Sequence, residues 1–210
     1  MLSFWQRAAI AVVVTFAIIG VLVSDQWIRD AAESELTSIQ RWFGESARAE
    51  VVDRAARWYT AAIVDTGFAD EVWKGYTRTP EQRARSPEFE TGPFKAGLDW
   101  FETRIVVFFT LIFQVFLRLS AVVLWAPYLA LLIIPAAIDG WVRRKIKQTS
   151  FSYTSPLAHS YSMLAIKTAI VGILFVFLLP VPLPFGCIPA AGVLVALALG
   201  LVIANTQKRI

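Results

Sequence analysis

The chain holds one cysteine, Cys187, and one histidine, His159, in 210 residues. A single cysteine excludes an intrachain disulfide framework. One thiol and one imidazole exclude a thiolate- or imidazole-rich metal site. Charge is scarce too: 17% of residues are charged, against roughly 25% in soluble domains. The sequence contains no GxxxxGKS/T phosphate loop, no HExxH, no GxSxG and no CxxC. Catalysis would have to rest on carboxylates alone, and these are scattered among bases. The expectation is therefore a protein that is not an enzyme, with no cofactor and no metal. His159 and Cys187, without a nucleophile, a carboxylate or a second ligand nearby in sequence, read as structural residues.

Apolar residues are what the chain has in abundance. They make up 57%, with a mean hydropathy of +0.58, where soluble domains have about 45–50% even with glycine counted. Such a balance excludes a disordered chain, a nucleic-acid-coating protein and an ordinary soluble enzyme. The class it indicates is an all-α integral membrane protein. Residues 8–24 carry no charge and would rise about 25 Å as a helix, just enough to span a bilayer. Trp5 and Trp27 flank them, and indoles favour bilayer interfaces. Arg7 before an apolar run also fits a signal peptide, but no A-x-A pair lies immediately before Asp25, so the reading is an uncleaved anchor. A second apolar region, 105–138, is interrupted only by Arg118. A third, 168–207, is uncharged and broken by Pro180, Pro182, Pro184, Gly186 and Pro189, so it reads as a helical hairpin.

Four spans follow from these runs, and charge orients them. Residues 25–104 hold fifteen acids and eleven bases, a net −4, whereas Arg7, the run Arg143, Arg144, Lys145 and Lys147, then Lys167, Lys208 and Arg209 are basic. Four spans put the basic segments on one side, and the positive-inside rule makes that side the cytoplasm, with both termini cytoplasmic. The expected organisation is an anchor at 1–24, a small helical periplasmic domain at 25–104 and a second membrane region at 105–138. A cytoplasmic basic loop at 139–167 and a transmembrane hairpin with a cytoplasmic tail at 168–210 complete it. Within the outer segment, Ile28, Ala32, Leu36, Ile39 and Phe43 share a helical face. The first span is expected to run outward through them as one helix and to stop at Gly44. A second helix covers 45–64 with Ser46 as its N-cap and Asp65-Thr66-Gly67 as its end. Residues 74–94, rich in proline and glycine, read as an extended loop. Helix resumes at Gly97 and continues to Lys147, with Pro127 and Pro135 as kink sites. Arg118 then sits near the outer interface, and 105–117, strongly apolar, needs cover from the 25–64 helices or from a second copy of the chain.

Four features are candidates for contacts. Thr110, Gln114 and Arg118 recur at i, i+4 and i+8. They form either a buried polar seam that fixes a partner helix or an interfacial face that meets water. Gly192, Ala196, Gly200 and Ala204 recur every four residues, a small-residue line that suits packing within the chain's own hairpin or between subunits of a homo-oligomer. The run Arg143, Arg144, Lys145 and Lys147 offers charge to anionic lipid or nucleic acid, and equally is the basic flank that orients a span. Asp139 and Arg143 are spaced to pair. Five tryptophans, Trp27, Trp42, Trp58, Trp73 and Trp100, lie in the outer segment. They offer a partner surface, or pack the small domain and seat it on the bilayer.

The stretch DGWVRRKIKQTSFSYTSP at 139–156 with His159 after it, the C-terminal ANTQKRI and the segment DRAARWYTAAIVDTG together resemble a family of membrane proteins from integrating conjugative elements and related conjugative plasmids, one that carries a domain of unknown function. The resemblance implies an inner-membrane component of a conjugative DNA-transfer system related to type IV secretion, encoded near the coupling ATPase. It implies no catalytic residue. The function expected is an accessory subunit that contacts the coupling ATPase or other transfer-system subunits within membrane lipid, without direct contact to nucleic acid. An entry-exclusion or assembly factor of the same system is the alternative, and a small membrane transporter is another.

Overall fold

A computed structural model describes residues 3–77, 93–149, 156–184 and 186–205. The chain is all-α, with no strand among the described residues. Its helices are α1 (Phe4–Leu22), α2 (Asp25–Phe43), α3 (Glu45–Tyr59), α4 (Phe68–Tyr76), α5 (Pro93–Thr149), α6 (Pro156–Leu178) and α7 (Cys187–Asn205). A π-helical turn, Thr60–Val64, extends α3. The chain divides into two compact units. One comprises Met1–Ala121 with Leu178–Leu183, the other Val122–Phe177 with Pro184–Ile210.

Ser3 opens α1 with a capping box, in which its hydroxyl accepts from the Gln6 amide and the Gln6 side chain accepts from the Ser3 amide. Nearly the whole surface of α1 is apolar and exposed, including Ile10, Val13, Val14 and Leu22; Ile19 is buried. The expected continuous helix through residue 43 does not form. Val23 and Ser24 are extended, and the Ser24 hydroxyl accepts from the Trp27 amide to start α2 afresh. The polar residues Ser24 and Asp25 supply both the cap and a carboxylate at the positive end of the new helix dipole, which outweighs the apolar continuity. α2 stops at Gly44, whose φ of 89° favours glycine. Gly44 also precedes α3 without a side-chain cap, so Ser46 lies inside the helix and is not its N-cap. Gly67, at φ 76°, ends the 45–64 stretch as the sequence suggested. The extended loop expected at 74–94 is shorter at both ends, since α4 carries through Tyr76 and α5 starts at Pro93; residues 78–92 lie outside the described residues.

The core of the first unit is built from α1, α2, α3 and the first part of α5. Ile28, Val51, Ala55 and Val107 are fully enclosed. Ile19, Ile28, Val107 and Leu111 form one cluster, with Phe16 and Val23 packed against it. The apolar 105–117 stretch thus receives its cover from this chain's own helices. Tyr59 adds edge-to-face contacts with Phe113 and Phe116. In the second unit, α5 continues through Pro127 and Pro135 without leaving helical geometry.

Three helical stretches are long and apolar enough to cross a membrane: Phe4–Leu22, Lys95–Lys147 and Cys187–Asn205. Ile166–Leu178, inside α6, is a shorter apolar segment. These helices suit insertion into a bilayer.

Candidate interaction sites

Arg118 of α5 and Glu35 of α2 form a buried ion pair, 3% and 7% exposed. Arg118 Nη2 lies 2.5 Å from Glu35 Oε1, and Nε lies 3.2 and 3.1 Å from the two carboxylate oxygens. The same guanidinium donates through Nη1 to the Leu179 carbonyl at 2.7 Å and through Nη2 to the Val181 carbonyl at 2.8 Å. Glu35 Oε1 also accepts from the Leu183 amide at 3.2 Å, and Trp27 Nε1 donates to the Pro180 carbonyl at 2.6 Å. A proline-rich segment has few amides and cannot satisfy its own carbonyls; here one guanidinium and one indole supply the donors. Two ions are costly to bury unless each is paired and its remaining hydrogen-bonding capacity filled, and both conditions hold.

The Thr110, Gln114 and Arg118 line is therefore buried or half-buried against its own chain and is not a water-facing stripe. Thr110 Oγ1 donates to Asp25 Oδ1 at 2.7 Å, and Arg29 pairs with the same carboxylate at 2.6 Å. Burial pushes the Asp25 carboxyl up, but the Arg29 and Thr110 hydrogen bonds and the Arg29 charge outweigh it and hold the group below its ordinary value of 3.8. Gln114 is 2% exposed, and its Nε2 finds no hydrogen-bond partner among the described residues. Sequence reasoning missed three participants: Glu35, Asp25 and Arg104. Glu35 sits on the stripe Ile28, Ala31, Glu35, Ile39, and a carboxylate on an apolar stripe was the available signal. Arg104 Nη1 donates to the Val21 and Val23 carbonyls at 3.0 and 2.8 Å, closing the C-terminal end of α1.

Beside Thr110 opens a groove of about 560 Å³. Tyr59, Trp73, Phe109 and Phe113 make its apolar walls, and Arg29, Asp70 and Thr110 stand at its polar edge. The edge charges are balanced, Arg29 by Asp25 and Asp70 by Lys74 at 3.1 Å. Burial raises the Tyr59 phenol above its usual range. Among the outer tryptophans, Trp27, Trp42, Trp73 and Trp100 are about half exposed or more. They do not fill the small domain, whose core is aliphatic. Wide indoles fit poorly between helices that approach through Ala31, Ala47 and Ala55.

In the second unit, the glycines of the small-residue line of α7 meet α5 and not the other arm of the hairpin, one of the two packings that the sequence left open. A Cβ on Gly140 would lie 2.6 Å from the Gly200 carbonyl oxygen, and one on Gly200 would lie 3.1 Å from the Ala136 oxygen. Gly192 faces the Leu129 side chain, and Ala196 and Ala204 are buried. Ala136 and Gly140 are themselves four apart, so small residues face small residues and the backbones approach closely. Lys147 Nζ reaches the Asn205 side-chain oxygen at 2.8 Å. Arg143 pairs with Asp139 at 2.8 Å, the spacing anticipated above, and Lys145 lies over the Trp141 ring at 5.7 Å. Cys187, read from the sequence as a structural residue, is exposed at the start of α7 and does not fill the protein interior. The side chain of His159 and residues 150–155 lie outside the described residues. No group of three or more His, Cys, Asp or Glu side chains suited to a metal ion occurs among the described residues.

A family comparison supplies the setting of these sites. A family model described as IncC plasmid conjugative DNA transfer protein DtrJ-like matches residues 21–210. The chain belongs to this DtrJ-like family. The match takes in every helix after α1, including the buried ion pair, the groove and the α5–α7 contact. Membership assigns the chain to conjugative DNA transfer. No curated protein matches the chain, and no solved structure does.

Proposed function

We propose that the chain is a non-enzymatic inner-membrane accessory subunit of a conjugative, type IV secretion-like DNA-transfer machine, and that its partner is the coupling ATPase. The observation that carries this reading is the match to a conjugative transfer family over residues 21–210 together with helices of membrane-spanning length. The chain carries no nucleotide-binding loop, so any energy for transfer comes from another subunit. In our reading the chain spans the membrane four times, with α6 as the third span and both termini cytoplasmic, as the charge asymmetry favours. Phosphatase fusions after Gly67 and Gln148 test this arrangement, since activity is expected at the first and not at the second.

Arg118 is neutralised by Glu35, and this moves the partner contact away from the polar line on α5. It also weakens a transporter reading, because that charge is held in a closed ion pair. The aromatic groove of the first unit is the better contact surface. It is open and apolar, and its edge charges are already paired, so a partner's apolar side chains enter without stranding an ion. Affinity purification of the tagged chain from donor membranes should recover the coupling ATPase. Recovery of other transfer subunits without it would favour the assembly-factor alternative.

A further inference from the structure

The second unit has more cations than carboxylates, and the surroundings of two of them specify what neutralises them. Asp139 is the last acidic side chain of the sequence, and Arg143, Arg144, Lys145, Lys147, Lys167, Lys208 and Arg209 all follow it. Asp139 is taken by Arg143. Lys147 is turned to the C-terminal end of α7, at Asn205 and the Ala204 carbonyl. Arg144 and Lys145 have no carboxylate side chain left in this unit to pair with. Arg144 follows Gly140 by one helical turn, on the face of α5 that packs closely against Gly200 of α7. Its Nε is buried and has no hydrogen-bond partner among the described residues. A guanidinium at the seam of two packed helices, its buried Nε without a partner among the described residues, is a site for an oxyanion.

We propose that Arg144 and Lys145 bind the phosphate of an anionic phospholipid. The surroundings favour a lipid over a nucleic acid. Exposed Trp141, Val142 and Ile146 alternate with the cations, and exposed Ile138 and Ile134 continue the apolar surface along α5. A nucleic-acid backbone would leave these side chains in water, whereas acyl chains and glycerol cover them as the headgroup meets the cations. Trp141, with Lys145 over its ring, sits at the level where indoles favour the interface. The inference rests on membrane insertion but not on the ATPase contact, and carbonate extraction of membranes checks insertion separately.

The test is native mass spectrometry of the full chain released from detergent micelles, titrated with phosphatidylglycerol or phosphatidylcholine. Phosphatidylglycerol should bind selectively. The double variant Arg144→Gln/Lys145→Gln should weaken it roughly thirtyfold, and Arg144→Lys should lose much less. Arg143→Gln, which removes a cation already paired with Asp139, should bind nearly as the parent does. Equal binding of the two lipids by the parent chain overturns the proposal whether or not the variants fold. So does full retention of phosphatidylglycerol by the double variant, or displacement of the lipid by a single-stranded DNA oligonucleotide at physiological salt.

Discussion

Arg118 and Glu35, 83 residues apart in sequence, meet at 2.5 Å in an enclosed ion pair that also holds the 179–183 segment by its backbone. Removing either partner leaves the other ion buried and alone. Arg118→Leu and Glu35→Leu should each lower stability by about 3–5 kcal/mol. The double replacement should cost much less than the sum, because no ion is then stranded. Thermal unfolding of the four proteins in one detergent measures the coupling. Additive losses would mean that the pair contributes nothing as a pair.

Asp25 gives a pH dependence of known sign. Its carboxyl lies below 3.8 in the folded chain, so the folded state binds its proton less readily than the unfolded state. The stabilisation is fully present above the unfolded value and is lost as pH falls through the lower folded value. Asp25→Asn should therefore be less stable than the parent at pH 7, and the two should converge as the pH drops below 3.8. Melting curves over that range check it; a constant difference would assign the effect to something other than ionisation.

Much of the helical layout was legible because it rests on local chemistry. Gly44 and Gly67 adopt the positive φ that ends a helix, and the apolar runs supply the length that α1, α5 and α7 need. The break at Ser24 was missed because two capping residues overrode an apolar pattern that continued past them. The partner of Arg118 was missed for a different reason. Periodicity shows that Glu35 lies on an apolar stripe of α2, but nothing local says which helix, 83 residues away, presents the matching cation. The same holds for Gly140, whose requirement for glycine comes from the Gly200 backbone opposite.

That backbone approach makes a steric prediction with an internal control. Gly140→Ala places a methyl against the Gly200 carbonyl, a rigid neighbour, and should destabilise by about 1–3 kcal/mol. Gly192→Ala meets only the end of the Leu129 side chain, which can rotate away, and should cost less. Melting temperatures in detergent rank the two. If Gly192→Ala is the more damaging, the α5–α7 packing described above is wrong.

The groove separates contact from stability. Phe109→Ala and Trp73→Ala trim its walls, and Trp73 is half exposed, so Trp73→Ala should leave the melting temperature nearly unchanged. Co-purification of the coupling ATPase and the transfer frequency should both fall, by about tenfold or more for a contact worth about 1.4 kcal/mol. Unchanged co-purification with Trp73→Ala and Phe109→Ala together would remove the groove as the contact surface.

The most direct test of the functional account is the frequency of conjugative DNA transfer from donors lacking this gene. A severe loss is expected, restored by the parent gene in trans and not by the variant with both Trp73 and Phe109 replaced by alanine. Transfer at the parental frequency in the deletion strain would contradict it.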